Sequence, residues 1–288
     1  MTILVIGGTR FFGIPMVWSL IKKGYEVTLA TRGLTNDPFG DMVSRIKLDI
    51  YNSESVSNAL YQKQYDVIID KMGYGSTDIQ NILENVKCNY FIHMSTAGVY
   101  QLDHMNISED EYLPEYQKLI WCTRGELGYD EEKKMAEAAI VQNYSGVKYA
   151  IVRSPFVMGK NDYTNRLRFY VEHIMKEEPF YIDNINAKMS VAYADEVADF
   201  IVFLVEHNIN GIFNCCSTGY FCLKNTVQMI EQIVGKKAIF QLGGDVAPYN
   251  GTREYSLNLE KSIQLGFHFR NVDDWIEQLI VDIINISR

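Results

Sequence analysis

Tyr129 and Lys133 stand four residues apart in "GYDEEKKMAE". On a helix that spacing puts both side chains on one face, with Ala136 and Ile140 further along it. A tyrosine has a reference pKa of about 10, so alone it is a poor acid–base catalyst at neutral pH. A nearby ammonium favours the phenolate. Lowering the pKa by about 3 units takes roughly 4 kcal/mol of differential stabilisation. Such a pair can exchange a proton with a substrate hydroxyl. The same spacing also occurs on many solvated helices, so its weight depends on its surroundings.

A second stretch, "VIGGTRFFG" (Val5 to Gly13), has the make-up of an anion-binding loop. Gly7, Gly8 and Gly13 end an apolar run and precede a helical pattern. Bare glycines there let backbone N–H groups approach a pyrophosphate, and the helix N-terminus adds partial positive charge. Thr9, Arg10, Phe11 and Phe12 fill the loop between them. The competing reading is an ordinary tight turn, but the position after the first strand favours a dinucleotide site.

The elements that would carry these residues alternate. Strand patterns fall at Thr2–Ile6, Glu26–Ala30, Ser44–Leu48, Tyr65–Asp70, Asn89–Met94 and Lys148–Val152. Helical patterns lie at Ile14–Lys23, Ser53–Gln62, Asp78–Asn85 and Gly128–Gln142. This order predicts an α/β fold, a doubly wound, Rossmann-type parallel sheet over residues 1–153. Residues 154–288 form mainly a smaller C-terminal substrate lobe, with a segment near 190–206 returning to the core. Further helices are expected at Asn161–Lys176, Asp195–Glu206, Leu223–Val234 and Asp273–Ile286.

Composition narrows the function. The 288 residues are 47% hydrophobic and carry a net charge of −9. An acidic chain is a poor partner for phosphate backbones, so nucleic acid is not expected. No apolar run approaches the roughly 20 residues that span a bilayer. Neither membrane association nor an export signal is expected, and the cytoplasm is the expected compartment. The five cysteines lack paired metal-ligand spacing and read as reduced thiols, with no metal site.

The loop, the Tyr129/Lys133 helix and the strand-end stretch "FIHMSTAGVY" together resemble the extended short-chain dehydrogenase/reductase family, the NAD-dependent epimerases and dehydratases. The resemblance runs through nearly the whole chain. It implies that Thr96 bonds the substrate oxygen and orients it towards Tyr129, that Lys133 also holds the nicotinamide ribose, and that Ser95 lies beside the cofactor. Without the other two residues, Thr96 would read as a turn or cap hydroxyl. Asp49 resembles the aspartate that bonds the adenine amino group, with a helix N-terminal acid as its alternative.

Two departures matter. Family members usually have a glycine where Arg10 stands, and an acid for the ribose where Thr31-Arg32 ends the second strand. NADP-linked relatives place basic residues at both spots, so Arg10 and Arg32 are expected to clamp a 2′-phosphate and make NADP the cofactor, with NAD the alternative. The other reading leaves Arg32 solvated and packs Arg10 over the adenine. Ala97-Gly98 stands where dehydratases carry Asp-Glu, which argues against 4,6-dehydration. Asp70-Lys71-Met72-Gly73 replaces the small-residue turn usual after the fourth strand.

The expected activity is hydride transfer between a nicotinamide and a carbinol or carbonyl carbon, with net reduction favoured and sugar or nucleotide-sugar epimerisation the alternative. The expected partners are a small, sugar-derived substrate and a second copy of the chain. Arg166, Arg168 and Arg253 are candidates for gripping an anionic substrate, or else surface charges. Chloroplast stem-loop RNA-binding proteins resemble the chain in having Gly-Gly-Thr-Arg in the loop, which supplies a non-enzyme alternative.

Overall fold

In the computed structural model, which describes all 288 residues, the chain builds a seven-stranded, wholly parallel sheet. Its strands are β1 (Thr2–Ile6), β2 (Glu26–Thr31), β3 (Ser44–Lys47), β4 (Lys63–Asp70), β5 (Val86–Thr96), β6 (Lys148–Ser154) and β7 (Gly211–Asn214). Their order across the sheet is 7-6-5-4-1-2-3, so the connections reverse direction between β1 and β4. In doubly wound sheets the crevice at that reversal, beyond the carboxyl ends of the strands, is where ligands bind.

Strand alternation explains the two layers. Leu4, Ile6, Ile68, Phe91 and Ile151 point to one face, where they meet Val56, Leu60, Ile79, Ile82, Ala136 and Ile140. Those residues come from α2 (Ser53–Leu60), α3 (Ser76–Asn85) and α4 (Tyr129–Asn143). The intervening Ile3, Val5, Val67, Ile69, Ile92 and Val152 point to the other face, against α1 (Gly13–Lys22) and α6 (Ala194–His207). Side chains two apart share a face of a strand, so both faces must be apolar in a doubly covered sheet. Pro15 falls in the first turn of α1, where its missing N–H costs nothing.

The second half adds α5 (Arg166–Lys176), α7 (Leu223–Val234), α8 (Glu260–Gln264) and α9 (Ile276–Ser287). Helices α5, α7 and α9 pack together. Three two-stranded ribbons tie the segments between them: Phe156–Met158 with Val191–Tyr193, Lys188–Met189 with Phe221–Cys222, and Phe180–Tyr181 with Asp245–Val246. Helix α6 packs on α1, and β7 extends the sheet beside β6. Strand β7 has no counterpart among the sequence-based expectations. Its four residues, Gly-Ile-Phe-Asn, are too few for an alternating pattern, and the parallel register with Ala150–Arg153 supplies what the pattern lacks.

Candidate functional site

The glycine loop is a cradle that side chains would fill. Gly7 and Gly8 hold φ of +96° and +91°, in the region that favours glycine. A Cβ on Gly7 would lie 2.9 Å from Met72 Cγ, and one on Gly13 would lie 2.7 Å from the Gly8 backbone. Helix α1 follows with no acidic residue in its first turn and no capping side chain on Phe12. The positive end of the helix is therefore uncompensated beside bare backbone, a combination that suits an anion. Phe11 adopts φ +54° and turns its ring towards Gly159 and Tyr163, where the C-terminal half meets the loop.

Arg10 is exposed and leaves the loop sideways, its Nε donating to Thr35 Oγ1 at 3.1 Å. That contact carries it to the segment following β2. Thr31 ends β2 and accepts from the Gly33 amide at 3.2 Å. Arg32 is exposed and makes no ion pair. Asp49 shapes the turn after β3, its carboxylate accepting from the Tyr51 amide at 3.2 Å.

At the other end of the crevice, Thr96 closes β5 and accepts from the Gly98 amide at 3.1 Å. Tyr129 begins α4, preceded by Gly128 at φ +89°. Gly98 lies hard against Asp130, the next residue of α4: a Cβ there would meet its carboxylate, which would have to swing aside. This close approach sets the start of α4, with Tyr129, beside Thr96 at the end of β5. Tyr129 keeps 49% of its surface open, yet desolvation pushes its phenol up to about 12, helped by Tyr74, while the neighbouring Thr96 hydroxyl acts the other way.

Lys133 departs from expectation. Its ammonium turns inward and donates to the carbonyls of Gly73 and Met94, both at 2.6 Å. The Tyr74 ring adjoins both, 5.4 Å from the Tyr129 ring and 5.2 Å from Lys133 Nζ. Burial lowers Lys133 to about 8, against the pull of Asp70, Glu137 and Asp78. Lys133 thus spends two of its donors on backbone, one turn deeper in the helix than Tyr129. Arg124 covers the outer side of Tyr74, 4.3 Å from its ring. Neither Tyr74 nor Arg124 is singled out by spacing; only the unusual turn from Asp70 to Gly73 marks the place.

That turn is rigid. Asp70 is fully buried, accepts from the Met72 and Gly73 amides at 3.0 and 2.8 Å, and pairs with His93 Nδ1 at 2.8 Å. Burial lowers His93, which leaves the ring neutral with Nδ1 as donor. Burial raises Asp70, but His93, Lys133 and the Gly73 amide together hold it below the usual carboxylate range.

Ser95 lies in a different environment from Thr96. It is buried and donates to Glu137, inside a network centred on Arg153. Arg153 lies in the buried part of β6, forms a two-oxygen pair with Glu137, and also donates to the Tyr100 hydroxyl and to the Glu109 and Tyr112 carbonyls. Tyr100 donates in turn to Asn214 of β7 at 2.8 Å. The network pins α4 to the ends of β5, β6 and β7, and so sets where Tyr129 emerges. Among the other arginines, Arg168 pairs with Glu172 and Arg253 with Asp103, while Arg166 lies over the Phe156 ring at 5.1 Å. Arg166 adjoins the segment that follows β6 through Phe156, and Arg168 lines a small pocket with Met158, Gly159 and Lys160 of the same segment.

The sequence model of the NAD dependent epimerase/dehydratase family matches residues 3–87 and 74–216. The chain belongs to that family. Its fold matches solved epimerases across their whole length. A UDP-glucose 4-epimerase of Thermotoga maritima superposes with a TM-score of 0.76 at 16% identity, covering 100% of both chains. A UDP-glucuronic acid 4-epimerase of Bacillus cereus, in complex with NAD, gives 0.74 at 20% identity over 99% of this chain and 97% of that one. Two curated proteins are also similar. A chloroplast stem-loop binding protein of Arabidopsis thaliana is 26% identical over 65% of this chain, and a 3-beta-hydroxysteroid dehydrogenase of Mycolicibacterium neoaurum is 22% identical over 73%. The matches span 50% and 62% of those two proteins. No helix of this family member is long and apolar enough to cross a membrane.

Proposed function

We propose that this family member is an NADP(H)-dependent reductase acting at a carbonyl carbon of a small, sugar-derived substrate. The observation that carries the reading is that Thr96, closing β5, and Tyr129, opening α4, are brought side by side by the close approach of Gly98 to Asp130, in the crevice that also holds the glycine cradle. A bound nicotinamide supplies the hydride. Gly7, Gly8 and Gly13 admit the pyrophosphate; Arg10 and Arg32, which reach the segment after β2, meet a 2′-phosphate. Asp49 and the backbone around Thr9 would hold the adenosine.

The chain's own part in the chemistry is proton transfer and positioning. Thr96 orients the substrate oxygen, and Tyr129 gives it a proton. A phenol raised to about 12 holds that proton across the neutral range, which suits donation to a carbonyl oxygen. Lys133 has three N–H donors and spends two on carbonyls, leaving one for a ribose hydroxyl.

Epimerisation is the second reading, favoured by the fold shared with the UDP-sugar epimerases; Arg166 would then be the candidate for the substrate diphosphate. The stem-loop binding relative motivates RNA binding as a third, which a net charge of −9 opposes. The test is incubation with NADPH or NADH and panels of ketones and UDP-sugars. Consumption of NADPH with a ketone supports the reductase. Interconversion of UDP-glucose and UDP-galactose without net cofactor change replaces it with the epimerase. Salt-sensitive capture of stem-loop RNA with neither activity would reject both enzymes.

A further inference from the structure

The turn after β4 sends one side chain to the cradle that the family resemblance does not explain. Lys71 Nζ lies 3.8 Å from the centre of the Phe12 ring and 3.5 Å from the Arg10 carbonyl oxygen. It is also so close to Gly13 that a Cβ there would come within 2.5 Å of it. The ammonium therefore stands at the start of α1, over the glycine loop. We propose that Lys71 is a cation for the cofactor pyrophosphate, delivered by the β4 turn to the open side of the cradle, and this rests on the dinucleotide reading above.

Three observations support it. Lys71 has no carboxylate partner: it forms no ion pair, and its one hydrogen bond is at the outer limit of length. An ammonium has three donors to satisfy, and the Phe12 ring accepts only weakly. Second, the charge is set against the positive end of α1, whose first turn contains no acid. Two like-signed features in one place favour an anion between them. Third, its backbone is fixed: the Lys71 amide donates to Ile6 O at 3.2 Å, and Asp70 clamps the following two amides. Asp70 itself faces His93 inside the sheet, and Arg10 faces Lys71 only with its carbonyl, so no side-chain charge on the elements touching the ammonium neutralises it. Burial lowers Lys71 to about 7, a cost that a bound phosphate would relieve.

The opposing possibility is a plug. Met72 presses on Gly7 while Lys71 covers Gly13, so the pair could fill the cradle instead of completing it. Titration calorimetry separates the two with ADP-ribose and NADP⁺, which carry the pyrophosphate, and adenosine, which does not. Lys71→Met should weaken ADP-ribose and NADP⁺ by about ten-fold or more, the usual worth of a charge-assisted bond to phosphate, and leave adenosine unchanged. Lys71→Arg should restore most of the loss, and circular dichroism should show both variants folded. Unchanged affinity in Lys71→Met would make the lysine a bystander, and tighter binding would make it a plug; either overturns the assignment. Wild-type protein that binds neither pyrophosphate ligand would remove the dinucleotide reading and this inference with it.

Discussion

Lys133 donates two 2.6 Å hydrogen bonds to the Gly73 and Met94 carbonyls, whereas Lys71, two residues before Gly73, makes a single 3.5 Å approach to the Arg10 carbonyl. One turn thus separates a lysine whose protons are committed from one whose protons are free. The arginines divide in the same way. Arg153 is fully buried and saturated by Glu137, Tyr100 and two carbonyls, while Arg10 and Arg32 lie exposed, in the glycine loop and just after β2. Committed cations fix geometry, because removing a partner strands a buried charge. Free cations beside an open cradle are the ones a ligand can recruit. The Thr96–Tyr129 end of the crevice is accordingly built rigid, and the glycine-cradle end carries the uncommitted cations.

The largest effect should come from the rigid end. Tyr129→Phe keeps the ring and its packing on Tyr74, so cofactor affinity should hold while turnover falls by roughly 10²–10⁴. Single-turnover kinetics beside cofactor titration check this, and near wild-type turnover would reduce Tyr129 to a packing residue.

Next comes the buried pair. Glu137→Ala strands Arg153, both partners being wholly inaccessible, and should cost about 3–5 kcal/mol in urea unfolding. Glu137→Gln, which keeps the shape and one acceptor, should cost less. A loss below about 1 kcal/mol for the alanine variant would mean that the network does not anchor α4.

At the glycine-cradle end the expected change is smaller. Arg32→Ala should lower the preference for NADP(H) over NAD(H) by about ten-fold, with NAD(H) affinity nearly constant. An unaltered ratio would break the two-arginine clamp and leave Arg32 a solvated charge.

The smallest effect is a pH slope. Lys71 and Lys133 are lowered to about 7 and about 8 from 10.5, so between those values and 10.5 the unfolded chain binds more protons than the folded one. Stability should therefore rise with pH through this interval, most cleanly below about pH 8, before the thiols of the unfolded chain, at about 8.5, begin to lose their protons. Lys71→Met should flatten the rise. An identical slope in wild type and variant would contradict the burial of that ammonium.

Much of this was legible before any coordinates. The alternation of apolar runs places β1 to β6 and α1 to α4 within a few residues, because a doubly covered sheet demands apolar strands with helices between them. The glycines at 7, 8 and 13 announce the loop because their reason is local, a backbone without room for Cβ. What stayed hidden depends on distant partners. Strand β7 exists through its pairing with β6, Ser95 is drawn into the Arg153 network by Glu137 sixteen residues before that arginine, and Tyr74 adjoins both Lys133 and Tyr129. The Tyr-x-x-x-Lys spacing fixes two residues on one helix face but says nothing of which way a long, flexible lysine turns.

The most direct test of the account is a titration of the purified wild-type protein with NADPH and NADH, followed by nicotinamide fluorescence. The account predicts saturable binding of one cofactor per chain, tighter for NADPH and displaced by ADP-ribose. Absence of binding to either nucleotide at millimolar concentration, in a protein shown to be folded, would contradict it.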